Sequence, residues 1–298
     1  MRILLSGASG LIGSALRSAA REKGIDVHSL VRRHRDVRAG AIYWNPGQTI
    51  QGLHPVALEG FDAVVHLSGA NIGRRWTRAY RETIISSRVR STRVLCESLA
   101  KVRRPPQVLL CASAVGIYGD RGDQSLTEGS TAGAGFLAAT CQAWEAAAQP
   151  ARDLGIRTVH LRFGVVLSRK GGALRKLLPV FRIAMGGKLG NGRQWMSWIA
   201  ESDVVRAIWF LMDREDLAGA FNLTTPHPVT NAEFTQALAS ALRRPALFPV
   251  PATALRLIFG QMAPETLLAS QRALPTRLEA AGFRFEYPRI GAALHALL

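Results

Sequence analysis

Several scarcities narrow the reading of this sequence before any motif is considered. Only five of its 38 basic residues are lysine. It has three cysteines, Cys96, Cys111 and Cys141, widely spaced and without a CxxC pair. An odd set of thiols in apolar surroundings excludes a disulfide scaffold and reads as reduced core residues of a cytoplasmic protein. The seven histidines are scattered with no HxxH or HExxH spacing, so no metal site is expected. No apolar run approaches the ~18 residues that span a bilayer. Gly7, Gly10 and Gly13 interrupt the first apolar run and no cleavage pattern follows, so no secretory leader is expected. Neither a GxSxG elbow nor a P-loop occurs.

What is present is ample apolar material: 48% of the 298 residues are hydrophobic and 20% charged. That excludes intrinsic disorder and suits one large domain or two interlocked ones. The net charge of +17 fits anionic partners. The arginines are dispersed and no zinc-finger or RNA-recognition signature accompanies them, which favours a phosphorylated small ligand over nucleic acid. The oligomeric state is not legible.

Short β-rich runs alternate with amphipathic stretches. Strands are expected at Arg2–Ser6, Val27–Val31, Ala63–Leu67, Val108–Ala112, Thr158–Arg162 and Phe221–Leu223. Helices are expected at Ile12–Lys23, about 80–100, Phe136–Leu154, Ala173–Met185 and from Asp203, with Ser202-Asp203 as its N-cap. Such alternation predicts an α/β fold of Rossmann type, a doubly wound parallel sheet. After Gly164 glycine-rich turns and a proline-punctuated, mostly helical tail change the pattern.

The strongest local signal is Ser6-Gly7-Ala8-Ser9-Gly10-Leu11-Ile12-Gly13, between the first strand and the first helix. Gly7 permits the tight turn, Gly10 lets a pyrophosphate approach the backbone, and Gly13 lets the helix pack closely. The helix start, with Ser9, Leu11 and Ile12, then offers free N–H groups to phosphate. At the end of the second strand the sequence reads Leu30-Val31-Arg32-Arg33-His34-Arg35, with no acid before Asp36. An acid there would bind the ribose hydroxyls of NAD, whereas arginine forks match a 2′-phosphate. NADP(H) is therefore the expected cofactor, held by residues 1–165 with about 199–224. Residues about 166–198 and 225–298 would form a smaller substrate or lid domain.

The glycine turn, Asp62-Ala-Val-Val-His66-Leu-Ser-Gly-Ala70 and Ser113-Ala-Val-Gly-Ile-Tyr118-Gly resemble the extended short-chain dehydrogenase/reductase superfamily. Three further stretches are similar to one branch, the NAD-dependent epimerase/dehydratase-like proteins of the YfcH type. They are Gly69-Ala-Asn-Ile72 with Arg74-Arg75-Trp76, Gly187–Trp195 with Ser197-Trp198-Ile199, and a C-terminus with Thr230-Asn231, Gln271–Pro275 and Ala281-Gly-Phe283. The resemblance implies that Leu67, Ser68 and Gly69 line the cofactor and that Phe163, Gly164 and Val165 lie near the nicotinamide. It also implies a cofactor contact for Arg88. On a helix over about 80–100, Arg88 falls within the apolar stripe of Ile84, Ile85, Leu95 and Leu99. A cation there needs an anionic or hydrogen-bonding partner, either the cofactor or an internal carboxylate.

The superfamily's proton relay is a Ser, a Tyr and a Lys four residues after that Tyr. Ser113 takes the serine position. The helix Phe136–Glu145 that should carry the pair has neither Tyr nor Lys. Residues four beyond Tyr43, Tyr80, Tyr118 and Tyr287 are Gly47, Ile84, Gly122 and Gly291, so no YxxxK exists. Three readings follow. One is a reductase or epimerase-like enzyme with a replaced proton donor, with Tyr118, Ser113 or Cys141 as candidates. The second is an NADPH-binding regulator without turnover, since some bacterial members of the branch carry the label "cell division inhibitor". The third is a basic surface that engages a macromolecule. In the glycine-rich substrate-side loop, Arg193 could pair with an anionic group and Trp195 could cover a pocket, or both could anchor the loop.

Overall fold

The computed structural model describes residues 1–47 and 53–298. β1 (Arg2–Ser6) runs buried into the glycine turn, and α1 (Leu11–Glu22) returns to β2 (Asp26–Val31) and a short β3 (Ala41–Tyr43). β4 (Ala63–His66) is buried throughout, and α2 (Arg78–Ser86) and α3 (Val89–Leu99) connect it to β5 (Val108–Ala114). The two-residue β6 (Ser125–Leu126), α4 (Phe136–Ala146) and α5 (Gln149–Asp153) precede β7 (Arg157–Phe163). β8 (Val165–Leu167), α6 (Gly172–Arg182), β9 (Trp195–Met196) and β10 (Trp198–Ala200) then lead into α7 (Glu201–Asp213) and β11 (Gly219–Leu223). The tail holds β12 (Val229–Thr230), α8 (Asn231–Leu242), α9 (Ala252–Phe259), β13 (Arg272–Ala273), α10 (Thr276–Ala280) and α11 (Ile290–Leu297).

Seven strands form one sheet in the order β11-β7-β5-β4-β1-β2-β3, every neighbouring pair parallel. The Rossmann-type architecture expected from the alternation is what forms. Alternate residues of each strand face opposite cores, as the pleat requires. Ile3 and Leu5 pack with Leu16 of α1 and Ile208 of α7, whereas Leu4 packs with Leu95 and Leu99 of α3. Strand order reverses between β1 and β4, and ligands of such sheets bind above that point. A third core joins α6, α8 and α11 through Leu174, Leu178, Phe181, Phe234, Leu238 and Leu294. All three cysteines are buried and unpaired.

The helix expected over 80–100 is two helices. Ser87 donates to the Ile84 carbonyl and accepts from the Ala70 amide, and Ser91 donates to the Ser87 carbonyl. Serine side chains thus compete with the helical ladder where it breaks. The expected Phe136–Leu154 helix also divides, ahead of Pro150 at the start of α5. The Ala173–Met185 expectation overshoots: α6 ends at Arg182, and Ala184 turns left-handed at φ +60°. Ser202-Asp203 is not an N-cap, because α7 begins at Glu201 with Ala200 as cap. The fully buried Asp203 instead accepts the amides of Glu286 and Tyr287, tying the C-terminal segment to α7.

Candidate functional site

A cleft of about 1070 Å³ opens at the glycine turn and is lined by Gly7–Gly10, Arg32, Arg33 and Leu67–Ala70 among others. Gly7 sits at φ +71°, and a Cβ there would lie 2.8 Å from the Leu67 carbonyl. Only glycine lets β1 and β4 end so close together. A Cβ on Gly13 would stand 2.3 Å from the Gly7 oxygen, so Gly13 seats α1 on the turn. At Gly10 the same atom would meet only the Gly7 oxygen, at 3.2 Å, leaving the cleft side open. No side chain caps α1 and no acid sits in its first turn. Its N–H groups and positive dipole end are left for an anion. Arg32 and Arg33 are exposed on the cleft wall, and neither forms an ion pair among the described residues.

The floor is polar and complete. Ser6 Oγ accepts from the Leu67 and Ser68 amides at 3.1 and 3.3 Å, which leaves its proton for His66 Nδ1 at 2.6 Å. The opposite nitrogen, Nε2, faces Ser91 Oγ at 3.4 Å, and that hydroxyl donates to the Ser87 carbonyl. The network assigns His66 a neutral ring with the proton on Nε2. Burial agrees, since it depresses the His66 pKa to about 4.

The region at the carboxyl end of β5 is buried and hydrogen-bonded throughout. Ser113, at the carboxyl end of β5, donates to Glu145 Oε1 at 2.6 Å. Glu145 also takes two hydrogen bonds from Arg162, at 2.8 and 2.9 Å. Burial pushes the Glu145 carboxyl up, but the Arg162 and Ser113 hydrogen bonds outweigh it and hold the group below its ordinary value. Tyr118 is fully buried; its hydroxyl donates to Asn222 at 2.8 Å and accepts from Arg162 at 3.0 Å. Burial raises its pKa despite Arg162. Two turns before Glu145 on α4 stands Leu137, and one turn before it Cys141, whose thiol burial pushes to about 12. Leu137 packs against the cluster of Trp76, Ile84 and Met262. Glu265, from the tail, accepts the Leu137 amide at 2.7 Å and caps α4.

The remaining predicted residues divide. Leu11 lies against Gly171 and Ile12 packs into the core, so of these two only backbone faces the turn. Arg88 does not line the cleft. It donates to the carbonyls of Ala70 and Ile84 at 3.0 and 3.2 Å, and its guanidinium lies over Trp144 at 5.1 Å. Carbonyl oxygens and an aromatic face meet the need that the sequence left to a phosphate or a carboxylate. Arg88 instead backs Gly69, whose Cβ would lie 3.2 Å from the guanidinium. Phe163, Gly164 and Val165 also lie outside the cleft lining. The Gly164 amide donates to the Leu223 carbonyl, and a Cβ there would be 2.6 Å from the Ser197 oxygen. Arg193 is exposed with its amide on Asn191. Trp195 is anchored, donating to Asp123 at 2.9 Å beneath Arg272 at 4.4 Å. Sequence reasoning missed Arg162, Asn222 and Glu265. A charge inside the apolar run Thr158–Phe163 was the available signal for Arg162.

The model of the NAD dependent epimerase/dehydratase family matches residues 3–224, and that of a domain of unknown function (DUF1731) matches 250–297. An epimerase family protein of Mycobacterium bovis is 45% identical over 293 residues, covering 98% of this chain and 96% of its own length. One from Staphylococcus aureus is 36% identical, covering 99% of this chain and 98% of its own. Among solved structures, the human epimerase family protein SDR39U1 with NADPH superposes at a TM-score of 0.90, with 31% identity over 100% of this chain and 99% of that one. A nucleoside-diphosphate sugar epimerase from Corynebacterium glutamicum gives 0.82 at 34% identity, covering 100% of this chain and 58% of that one.

Proposed function

We propose, for a chain that belongs to the NAD-dependent epimerase/dehydratase family, that the cleft holds NADP(H). We propose further that a small-molecule substrate is reduced, oxidised or epimerised beside it without a Tyr–Lys pair. The observation that carries the cofactor choice is the pair Arg32 and Arg33, exposed in the same cleft as the uncapped start of α1. Two exposed guanidinium forks, neither in an ion pair among the described residues although Asp26 and Asp36 line the same cleft, suit a 2′-phosphate. The turn fits the pyrophosphate: Gly10 leaves room, and the first N–H groups of α1 would hold it. Leu67, Ser68 and Gly69 would form the wall, with Phe163, Gly164 and Val165 towards the nicotinamide and Arg193 and Trp195 towards the substrate. The NADPH in the structure of the human relative supports the same reading.

When bound, the nicotinamide supplies or accepts a hydride. Ser113 is buried with its proton on Glu145, so towards a substrate its oxygen could only accept a hydrogen bond, from a hydroxyl. Tyr118 is committed to Asn222 and Arg162 and serves the fold. Among the described residues no helix is long and apolar enough to cross a membrane.

Titration calorimetry with NADPH and NADH tests the reading on the natural chain and on R32A/R33A. NADPH binds more tightly, and the variant loses about 100-fold of that affinity while NADH changes little. Equal affinities, or none, would overturn it. Saturable NADPH binding without hydride transfer to carbonyl or sugar-nucleotide substrates would keep the cofactor and remove the enzyme.

A further inference from the structure

Exposed large apolar side chains are not spread evenly. Val180, Ile183 and Met185 stand at the end of α6, and Leu247, Phe248, Leu257 and Ile258 stand before and along α9. Ile183, Leu247 and Leu257 are each more than 70% exposed. The two segments are joined by backbone hydrogen bonds, from the Phe248 amide to Gly186 and from the Val250 amide to Lys188. A Cβ on Gly186 would lie 2.7 Å from the Phe181 ring, which holds this junction tight. In α9, Leu255 and Phe259 face the core while Arg256, Leu257 and Ile258 face outward.

The charge around these side chains is of one sign. Between Asp153 and Glu201, and again between Glu233 and Glu265, the sequence contains no acid. Arg182, Lys188, Arg243, Arg244 and Arg256 are exposed in these stretches, and none forms an ion pair among the described residues. A second copy of the chain would set these cations against their own images in a symmetric contact. A neutral partner would leave them idle. Apolar knobs rimmed by arginine match a surface with anionic headgroups over acyl chains.

We propose that the face formed by the end of α6, residues 243–250 and α9 docks on the surface of an anionic phospholipid bilayer. Ile183, Leu247, Phe248 and Leu257 enter the headgroup boundary, and Arg182, Arg243, Arg244 and Arg256 pair with lipid phosphates. The docking is peripheral and needs no spanning helix.

Co-sedimentation of the full chain with vesicles of phosphatidylcholine and phosphatidylglycerol tests this, with pure phosphatidylcholine beside it. The chain sediments with the anionic vesicles and not with the neutral ones. R243A/R244A weakens partitioning by about 30-fold, from the attraction each basic residue contributes near such a surface. I183S/L247S/L257S keeps every charge and still loses at least about tenfold. The charge-matched R103A/R104A, exposed elsewhere, changes binding about twofold or less. Three results would overturn the proposal: no sedimentation with anionic vesicles, equal loss in R103A/R104A, or no loss in the serine variant. If the chain ignores vesicles but binds immobilised polyglutamate through Arg243 and Arg244, the face belongs to an acidic protein instead. Thermal melting of each variant near the natural midpoint separates lost docking from lost folding.

Discussion

The cleft at the glycine turn and the sealed region around Ser113 lie above the same sheet, and they treat polar groups in opposite ways. In the cleft, the first N–H groups of α1 and the guanidiniums of Arg32 and Arg33 have no partner among the described residues. Around Ser113, each polar group already has one: Ser113 and Arg162 on Glu145, Tyr118 between Arg162 and Asn222. Unpartnered groups on a rigid frame can be given to a ligand, whereas a satisfied buried network is given to the fold. The fold of a catalytic family can keep its binding half intact while its chemical half is rebuilt.

The difference can be broken from the sealed side. E145A strands the Arg162 charge in the interior and should cost about 3–5 kcal/mol of stability in denaturant unfolding. E145M/R162M should recover most of that loss, since matched apolar side chains leave no buried charge. A fully stable E145A would show that water reaches the network and that the region is not sealed.

Acid probes the floor of the cleft. His66 is neutral in the fold with a pKa near 4 and protonates near 6.5 when unfolded. Between those values the unfolded chain binds the extra proton, so stability falls as pH drops from about 6.5 to 4. The loss from His66 is on the order of 3 kcal/mol. Burial depresses His160 to about 4 as well, so H66Q should remove about half of that arm of the pH–stability curve and H66Q/H160Q most of it; an arm unchanged in H66Q would place the titration elsewhere.

The open side yields a smaller effect. G10A puts its Cβ where only the Gly7 oxygen is near, so the chain should fold and lose about tenfold in NADPH affinity. G13A drives its Cβ onto backbone and should unfold at lower temperature as well. Equal melting points for the two would contradict the geometry. Smallest is Y118F, which removes one hydroxyl from the network and should cost about 1 kcal/mol. Its cofactor affinity and any turnover should match the natural chain. Turnover abolished at unchanged stability would return Tyr118 to the chemistry.

The sheet was legible because strands buried on both faces are short β-rich runs, and the glycine turn because backbone geometry demands glycine at fixed spacing. The absence of YxxxK was legible because it needs only a count. Arg88 was expected on the apolar face of one helix, but it caps the start of α3, Ile85 is exposed, and its partners were not readable. The carbonyls of Ala70 and Ile84 take its guanidinium where the chain breaks between α2 and α3. Trp195 offered two readings, and its hydrogen bond to Asp123, 72 residues away, was not readable from the sequence.

By itself the sequence determined the parallel sheet, the phosphate-ready turn, the basic end of the second strand and the missing Tyr and Lys. These follow from local preferences, from spacing and from composition, which need no distant contact. Only the tertiary structure decided that Tyr118 is closed off, that Glu145 holds both Ser113 and Arg162, and that Glu265 from the tail caps α4 beside Leu137. Each of these joins residues far apart in the chain. A buried charge finds its partner through packing, and packing is a property of the whole fold.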